Sequence, residues 1–198
     1  MTPSRGERAE DTRRALVAAG RDLFAASGFA GTPVEELLRR TGVSRGALYH
    51  HFRSKEDLFR AVYEAVEADV AERVAAAAAG APPGDALAAL HRGVDAFLDT
   101  CLEPEVQRIV LLEGPTVLGW ETWHEIDERY GFGLVRGGLE AAMDAGALER
   151  LPVEPLAHAV LGALVQAGMV VARAGDPAAA RRDMAATIGR LLDGLAAR

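Results

Sequence analysis

The stretch TPVEELLRRTGVSRGALYHHF, Thr32 to Phe52, decides how this chain is read. It holds two short amphipathic runs separated by Gly42-Val43-Ser44. In the first run Thr32 suits an N-cap and Pro33 the first helical position, while Glu35 and Glu36 favour the positive start of a helix. Val34, Leu37 and Leu38 give that helix an apolar face. Gly42 supplies a left-handed residue to end it, and Ser44 is a fresh N-cap for a second, very short helix. There Val43, Leu48 and Phe52 are the residues a core would take, and Arg45, Gly46, Ala47, Tyr49, His50 and His51 project outward. Two helices on so short a turn have the lengths of a helix-turn-helix, which sets its second helix in the major groove of DNA. The outward set suits such a surface. Arg45 carries the fork that bonds guanine bidentately, Gly46 lets the backbone approach closely, and Ala47 could touch a thymine methyl. The Tyr49 hydroxyl and the imidazole N–H groups can donate to phosphates.

Upstream, Leu16, Ala19, Leu23 and Phe24 follow the stripe of an amphipathic helix from Thr12, and Gly28 ends it with Phe29 placed to pack back. Downstream, Ser54 with Asp57 resembles a capping box for a long helix through Leu58, Phe59, Val62 and Val66. Lys55, at the start of that helix, adds a point charge beside a helix N-terminus, where anions already bind well. The expected organisation is a loose polar tail over residues 1–11, a three-helix DNA-binding domain over 12–60, and a larger helical domain over 61–198. Arg5, Arg8, Arg13 and Arg14 fit either phosphate or minor-groove contacts or plain solvation.

The segment GFAGTPVEELLRRTGVSRGALYHHFRSKEDLF closely resembles the DNA-binding domain of TetR-type bacterial transcriptional repressors. Their pattern runs G-x-x-x-T-x-V-x-x-I-A-x-x-A-G-V-S-x-G-x-L-Y-x-H-F-x-x-K-x-x-L. The resemblance covers about residues 12–60. It implies that Thr32, Tyr49, His51 and Lys55 hold phosphates, and that Arg45, Gly46, Ala47 and His50 sit near bases, with Ser44 at the helix start. Leu38 and Thr41 stand where the pattern carries alanines, so the first helix of the motif would pack differently. Ala47 lacks the hydroxyl or amide often found there, which leaves base readout resting more on Arg45 and His50.

The bulk numbers agree with an all-α fold. The 198 residues are 49% apolar but only 6% aromatic, and Ala, Leu, Arg and Glu dominate over β-branched types. Charge is uneven: residues 1–60 carry eleven Lys/Arg against eight Asp/Glu, and residues 61–198 eleven against twenty-one. Only the amino-terminal third therefore suits a polyanion. The first residues lack an apolar leader, and the single cysteine, Cys101, cannot form an intrachain disulfide, so a reducing cytoplasm is expected. The apolar run Val153 to Ala172 is long enough to span a bilayer, but Glu154, His158 and Gln166 interrupt it, and a helix buried on all sides is the expectation.

One helix-turn-helix covers too few base pairs for tight specific binding, so a homodimer on a palindromic double-stranded operator is expected. The last helix carries Met184, Ile188, Leu191, Leu192 and Leu195 on one strip. The preceding helix is apolar all round, with Leu161, Leu164 and Gly168 among its candidate contacts. Together they would form a four-helix dimer bundle, as the resemblance also implies; the rival reading gives them to the core of a monomer. Helices are expected at 85–102, 105–113, 120–145, 154–174 and 177–197. Between Phe97 and Tyr130 both tryptophans lie beside a Gly114-Pro115 break, a reasonable wall for a small-molecule pocket. Phe97, Cys101, Leu112, Trp120, Trp123, His124, Gln166 and Met169 are candidate ligand contacts, with Glu113, His124 or Gln166 as polar anchors. Core packing is the competing account of each. Ligand binding would shift the broken segment, pull on the helix that begins at Lys55, and splay the recognition helices.

An enzyme is disfavoured. Glu121-x-x-His124 has the spacing of a carboxylate-bundle metal pair but no second copy, and no G-x-S-x-G, Walker loop or dinucleotide glycine pattern occurs. No metal or other cofactor is called for.

Overall fold

The computed structural model describes residues 5–197 and is built of helices, with no β-strand among the described residues. The helices are α1 (Arg5–Ser27), α2 (Val34–Thr41), α3 (Arg45–His51), α4 (Lys55–Ala79), α5 (Ala86–Thr100), α6 (Gly114–Asp127), α7 (Gly133–Asp144), α8 (Val153–Arg173) and α9 (Pro177–Asp193). Two π-helical stretches interrupt them, π1 (Val106–Glu113) before α6 and π2 (Glu128–Phe132) after it. An isolated bridge between Leu148 and Ala196 ties the end of α9 to the α7–α8 loop.

The local signals around the motif act as the sequence predicts. Gly42 takes φ +67° and its amide donates to the Leu38 carbonyl at 2.9 Å, ending α2. The Ser44 hydroxyl accepts the Ala47 N–H at 3.2 Å, and Ser54 accepts the Asp57 N–H at 3.2 Å. Gly28, at φ +74°, ends α1 and turns Phe29 back onto Phe24 and Phe59, with ring centroids 5.9 and 5.4 Å away. Leu16, Phe24, Leu37, Leu48, Phe52, Leu58 and Phe59 form one buried core beneath α3. Thr41 fits because its hydroxyl donates to the Leu37 carbonyl at 2.8 Å, and Leu38 packs on the core's edge.

Several expectations need correction. α1 starts by Arg5, so the loose tail expected over residues 1–11 is helical from there, while residues 1–4 lie outside the described residues. Glu7 in the first turn and the Thr12 hydroxyl on the Arg8 carbonyl, at 2.8 Å, support the added turns. Pro33, not Thr32, is the α2 N-cap. Gly114-Pro115 does not interrupt the chain's helicity: Pro115 sits in the first turn of α6, where its missing N–H costs nothing, and the non-helical residue is Gly119 at φ +73°. The helix expected at 120–145 therefore begins at Gly114 and passes through π2.

The boundary set between residues 60 and 61 falls inside α4, whose lower half holds the motif's core through Leu58 and Phe59. Its upper half, through Tyr63, Val66 and Val70, continues the same core into π1 and α8. α4 is thus a mechanical member of both halves. α8 is not buried on all sides, since Glu154, His158, Ala159, Gly162 and Gln166 are exposed along one face.

Candidate DNA-binding face and ligand cavity

α3 stands on Leu48 and Phe52, both almost fully buried, which fixes the opposite face outward. Arg45, Gly46, Tyr49 and His50 are exposed, Ala47 and His51 half-buried, and a Cβ built on Gly46 would meet nothing within 4 Å. Short helices such as α3 hold their shape only by packing and capping, and here both are present. The Arg45 guanidinium pairs with Glu35 across the motif. Glu35 is held below the usual carboxylate range by its own backbone N–H and by Arg45. This exposed pair is weak and exchanges readily for a base edge.

Two residues expected on phosphates are placed otherwise. Thr32 is buried, with its hydroxyl donating to the Gly28 carbonyl at 2.8 Å and the Leu23 carbonyl at 3.2 Å, so it braces the α1–α2 turn and offers no outward donor. Lys55 bends inward: its ammonium donates to the Phe29 carbonyl and lies 4.3 Å from the centre of the Phe29 ring. Burial lowers its pKa, with Glu56 and Glu113 opposing that shift. The Ser44 hydroxyl is used as the α3 cap. Among the amino-terminal arginines, Arg14 pairs with Asp11, Arg13 lies over the Phe52 ring at 5.5 Å and Arg8 is exposed. The Arg5 side chain lies outside the described residues.

The second feature is a cavity of about 290 Å³ lined by α4, α5, π1, α6, π2, α7, α8 and Leu192 of α9. Of the eight expected contacts it is lined by Phe97, Trp123 and Met169. The other five do not line it. Cys101 is fully buried against Gly168, and burial pushes its thiol up to about 12. Leu112 and Trp120 point outward, Trp120 being 69% exposed and stacked on His124 with ring centroids 5.4 Å apart. That pairing keeps His124 off the cavity, and Gln166 borders only a shallow external depression shared with Met169. Glu113, expected as a ligand anchor, instead accepts the Phe29 N–H at 2.7 Å.

Sequence reasoning missed the polar lining itself: Tyr63, Glu67, Asp127 and Tyr130. The Tyr63 hydroxyl donates to Glu67 at 2.9 Å. Burial raises the Glu67 carboxyl to about 7, against the Tyr63 hydrogen bond and assisted by Asp127. Burial likewise raises Asp127 to about 6. One signal was available, since Glu67 follows Tyr63 by four residues, one helical turn along the inward stripe of α4.

π1 joins cavity to motif. Val110 and Leu111 line the cavity. From the same stretch, the Arg108 guanidinium donates to the Ala26 carbonyl at 2.6 Å, and Glu113 holds Phe29. Just ahead of π1, Glu105 forms a forked pair with Arg21 of α1 at 2.6 and 2.8 Å. π-Helical turns are metastable relative to α and recur at functional sites.

The expected dimer contacts divide. Leu164, Ile188 and Leu192 are turned into the chain's own core, Gly168 lets α8 approach Cys101 and Leu111, and Leu161 lines the cavity. Leu195 packs on the small cluster around Leu139 and Leu148. Leu191 alone of the set faces outward, 60% exposed. Around it the outer surface of α8 and α9 presents Ala159, Gly162, Gln166, Ala186 and Arg190.

Residues 16–62 match the family model for bacterial regulatory proteins of the tetR family, and residues 87–195 match a tetracycline repressor-like C-terminal domain. The chain is 30% identical to the transcriptional regulator AcrR of Shigella flexneri over 53% of its own length and 48% of that protein's. It is 38% identical to the transcriptional repressor AcnR of Corynebacterium glutamicum over 37% and 39%. These curated relatives are thus matched over less than half their length. A crystal structure of a TetR-family transcriptional regulator from Pectobacterium atrosepticum superposes with a TM-score of 0.87 at 31% identity, covering 99% of each chain.

Proposed function

This chain belongs to the TetR family of bacterial transcriptional regulators, a family of DNA-binding proteins rather than enzymes, and from that premise we propose that it acts as a cytoplasmic homodimeric repressor released from a palindromic operator by a small molecule. The observation that carries the DNA reading is the face of α3, where Arg45, Tyr49 and His50 stand exposed above a buried Leu48 and Phe52. Arg45 leaves Glu35 for a guanine, Gly46 admits the duplex, and Tyr49 and His51 donate to flanking phosphates. Ala47 and His50 complete the base-facing set.

The dimer follows from α8. An apolar helix that leaves Ala159 and Gly162 exposed offers a face to a neighbour, and a second copy supplies the same face across a two-fold axis. Pairing also holds two α3 helices about 34–36 Å apart, the spacing of successive major grooves on one side of the duplex. The ligand reading rests on the cavity and its link through π1 to α1. A hundredfold loss of operator affinity needs about 2.7 kcal/mol of coupling, supplied by tighter ligand binding to the splayed state.

Selection of random oligonucleotides by the purified protein, followed by mobility-shift titration, tests the function. A palindromic consensus bound with steep salt dependence is expected. Arg45→Ala should cost about 1–3 kcal/mol at one base position per half-site. Indifference to every duplex at low ionic strength would overturn the reading.

A further inference from the structure

The cavity wall is alkyl and aromatic except at one end. Glu67 of α4 and Asp127 at the end of α6 are its charged residues, and no lysine, arginine or histidine lines it. Glu67 spends one oxygen on the Tyr63 hydroxyl; its other oxygen and both oxygens of Asp127 have no hydrogen-bond donor among the described residues. A half-buried carboxylate in a largely apolar space with no donor from the protein is less stable than a paired one, a cost that water alone offsets. That cost disappears when a positive charge enters.

Accepting that the cavity is the ligand site, we propose that it takes a lipophilic organic cation, a hydrophobic amine whose ammonium sits between Glu67 and Asp127 and whose apolar body lies along the Val70, Val74 and Val94 wall. A neutral ligand would leave the acids unpaired, and an anion would be repelled by them. A bare metal ion is a poor occupant: no group of three His, Cys, Asp or Glu side chains able to hold one exists among the described residues, and hard cations take six or more oxygens. The rings of Trp123 and Tyr130 add faces that attract an ammonium. Both acids are half-buried, and desolvation raises both carboxyls, so this end of the cavity gains from neutralisation.

The test uses three probes sharing one body: 4-phenylbutylamine, 4-phenylbutanol and 4-phenylbutyrate, titrated calorimetrically at pH 7.5 into the whole protein and into its Glu67→Gln and Asp127→Asn variants. The amine should bind at least about tenfold tighter than the alcohol or the acid, and each variant should lower amine affinity by about tenfold while leaving the alcohol unchanged. Equal binding of the three probes, an amine that fails to bind, or variants that bind the amine like the wild type would overturn the proposal. Thermal melts that retain a cooperative transition establish that the variants are folded. Repeating the titration on the operator complex separates this proposal from the ligand-release reading. Charge-selective binding that leaves DNA in place supports the cation site and sinks release, whereas release by the alcohol as readily as by the amine keeps release and sinks the cation.

Discussion

Replacing Glu67 with Gln should stabilise the empty protein, and increasingly so as pH rises. The carboxyl of Glu67 moves from an ordinary 4.5 in the unfolded chain to about 7 in the fold, chiefly because burial disfavours its charged form. A folded-state pKa raised above the unfolded one contributes stability that is complete below about pH 4.5 and lost as pH climbs through 7. Integrated between pH 5 and pH 8, that shift removes about 2.5 kcal/mol from the wild type. Gln cannot ionise, yet its amide oxygen still accepts the Tyr63 hydroxyl, so the variant avoids the loss. In a chain of this size about 2.5 kcal/mol corresponds to about 5–10 °C in Tm. Melting curves of both proteins at one fixed concentration, from pH 5 to 8, should therefore diverge by that amount. Taking the difference removes the groups common to both, including Asp127, which loses stability in the same direction, and Glu35, Glu36 and Glu103, which are held low and act on the acid side. A difference in Tm that stays flat within about 1 °C across this range would show that Glu67 is hydrated and that the cavity end is not apolar.

Glu113→Ala removes the carboxylate that accepts the Phe29 N–H and should cost about 1.5–3 kcal/mol in urea denaturation. Because Lys55 holds the carbonyl of the same residue, Lys55→Ala combined with it should depart from additivity by at least about 0.5 kcal/mol; strict additivity would show that the two contacts do not share one turn. Gly114→Ala places a Cβ 2.4 Å from the Tyr63 ring and 3.1 Å from the Ile109 carbonyl, and should lower stability by about 1–3 kcal/mol. Leu191→Glu, on the exposed strip of α9, should convert the dimer to monomer in sedimentation velocity, and an unchanged dimer would move the interface off this face.

The motif was legible because its information is local. Gly42, Ser44, Ser54 and Gly28 act on their own neighbours, so their effect on the backbone follows from type and spacing, and Leu48 and Phe52 set which side of α3 is free. Thr32 and Lys55 misled because the same atoms that suit phosphate also suit a free backbone carbonyl, and only the folded turn shows the Gly28 and Phe29 carbonyls within reach. The cavity was legible only in part because its polar end is made by residues sixty positions apart. Nothing near Asp127 in the sequence points to Glu67. Trp120 and Trp123 looked equivalent, but the backbone break at Gly119 and stacking on His124 send Trp120 outward while Trp123 turns in. For the dimer strip, apolar periodicity marks a buried face without saying which chain buries it, and α9 turns Ile188 and Leu192 into its own core while Leu191 stays outside.

The physical connection between the two halves runs through a short set of contacts. Tyr63 donates to Glu67 in the cavity, and its ring blocks any side chain at Gly114; the residue before that glycine, Glu113, holds Phe29. Phe29 packs between Phe24 of α1 and Phe59 of α4, and its carbonyl holds Lys55. A charge that drew Glu67 toward Asp127 would loosen its hold on Tyr63, whose ring lies where a Cβ at Gly114 would fall. Displacing the Gly114 backbone alters the Glu113 contact at the turn between α1 and α2, on which α3 rests. π1 spans from the cavity wall to α1, and π turns recur at functional sites, so a ligand-driven displacement would have to pass through it. A second arrangement of π1, rather than any single contact, is what a ligand would need in order to bias the spacing of two α3 helices.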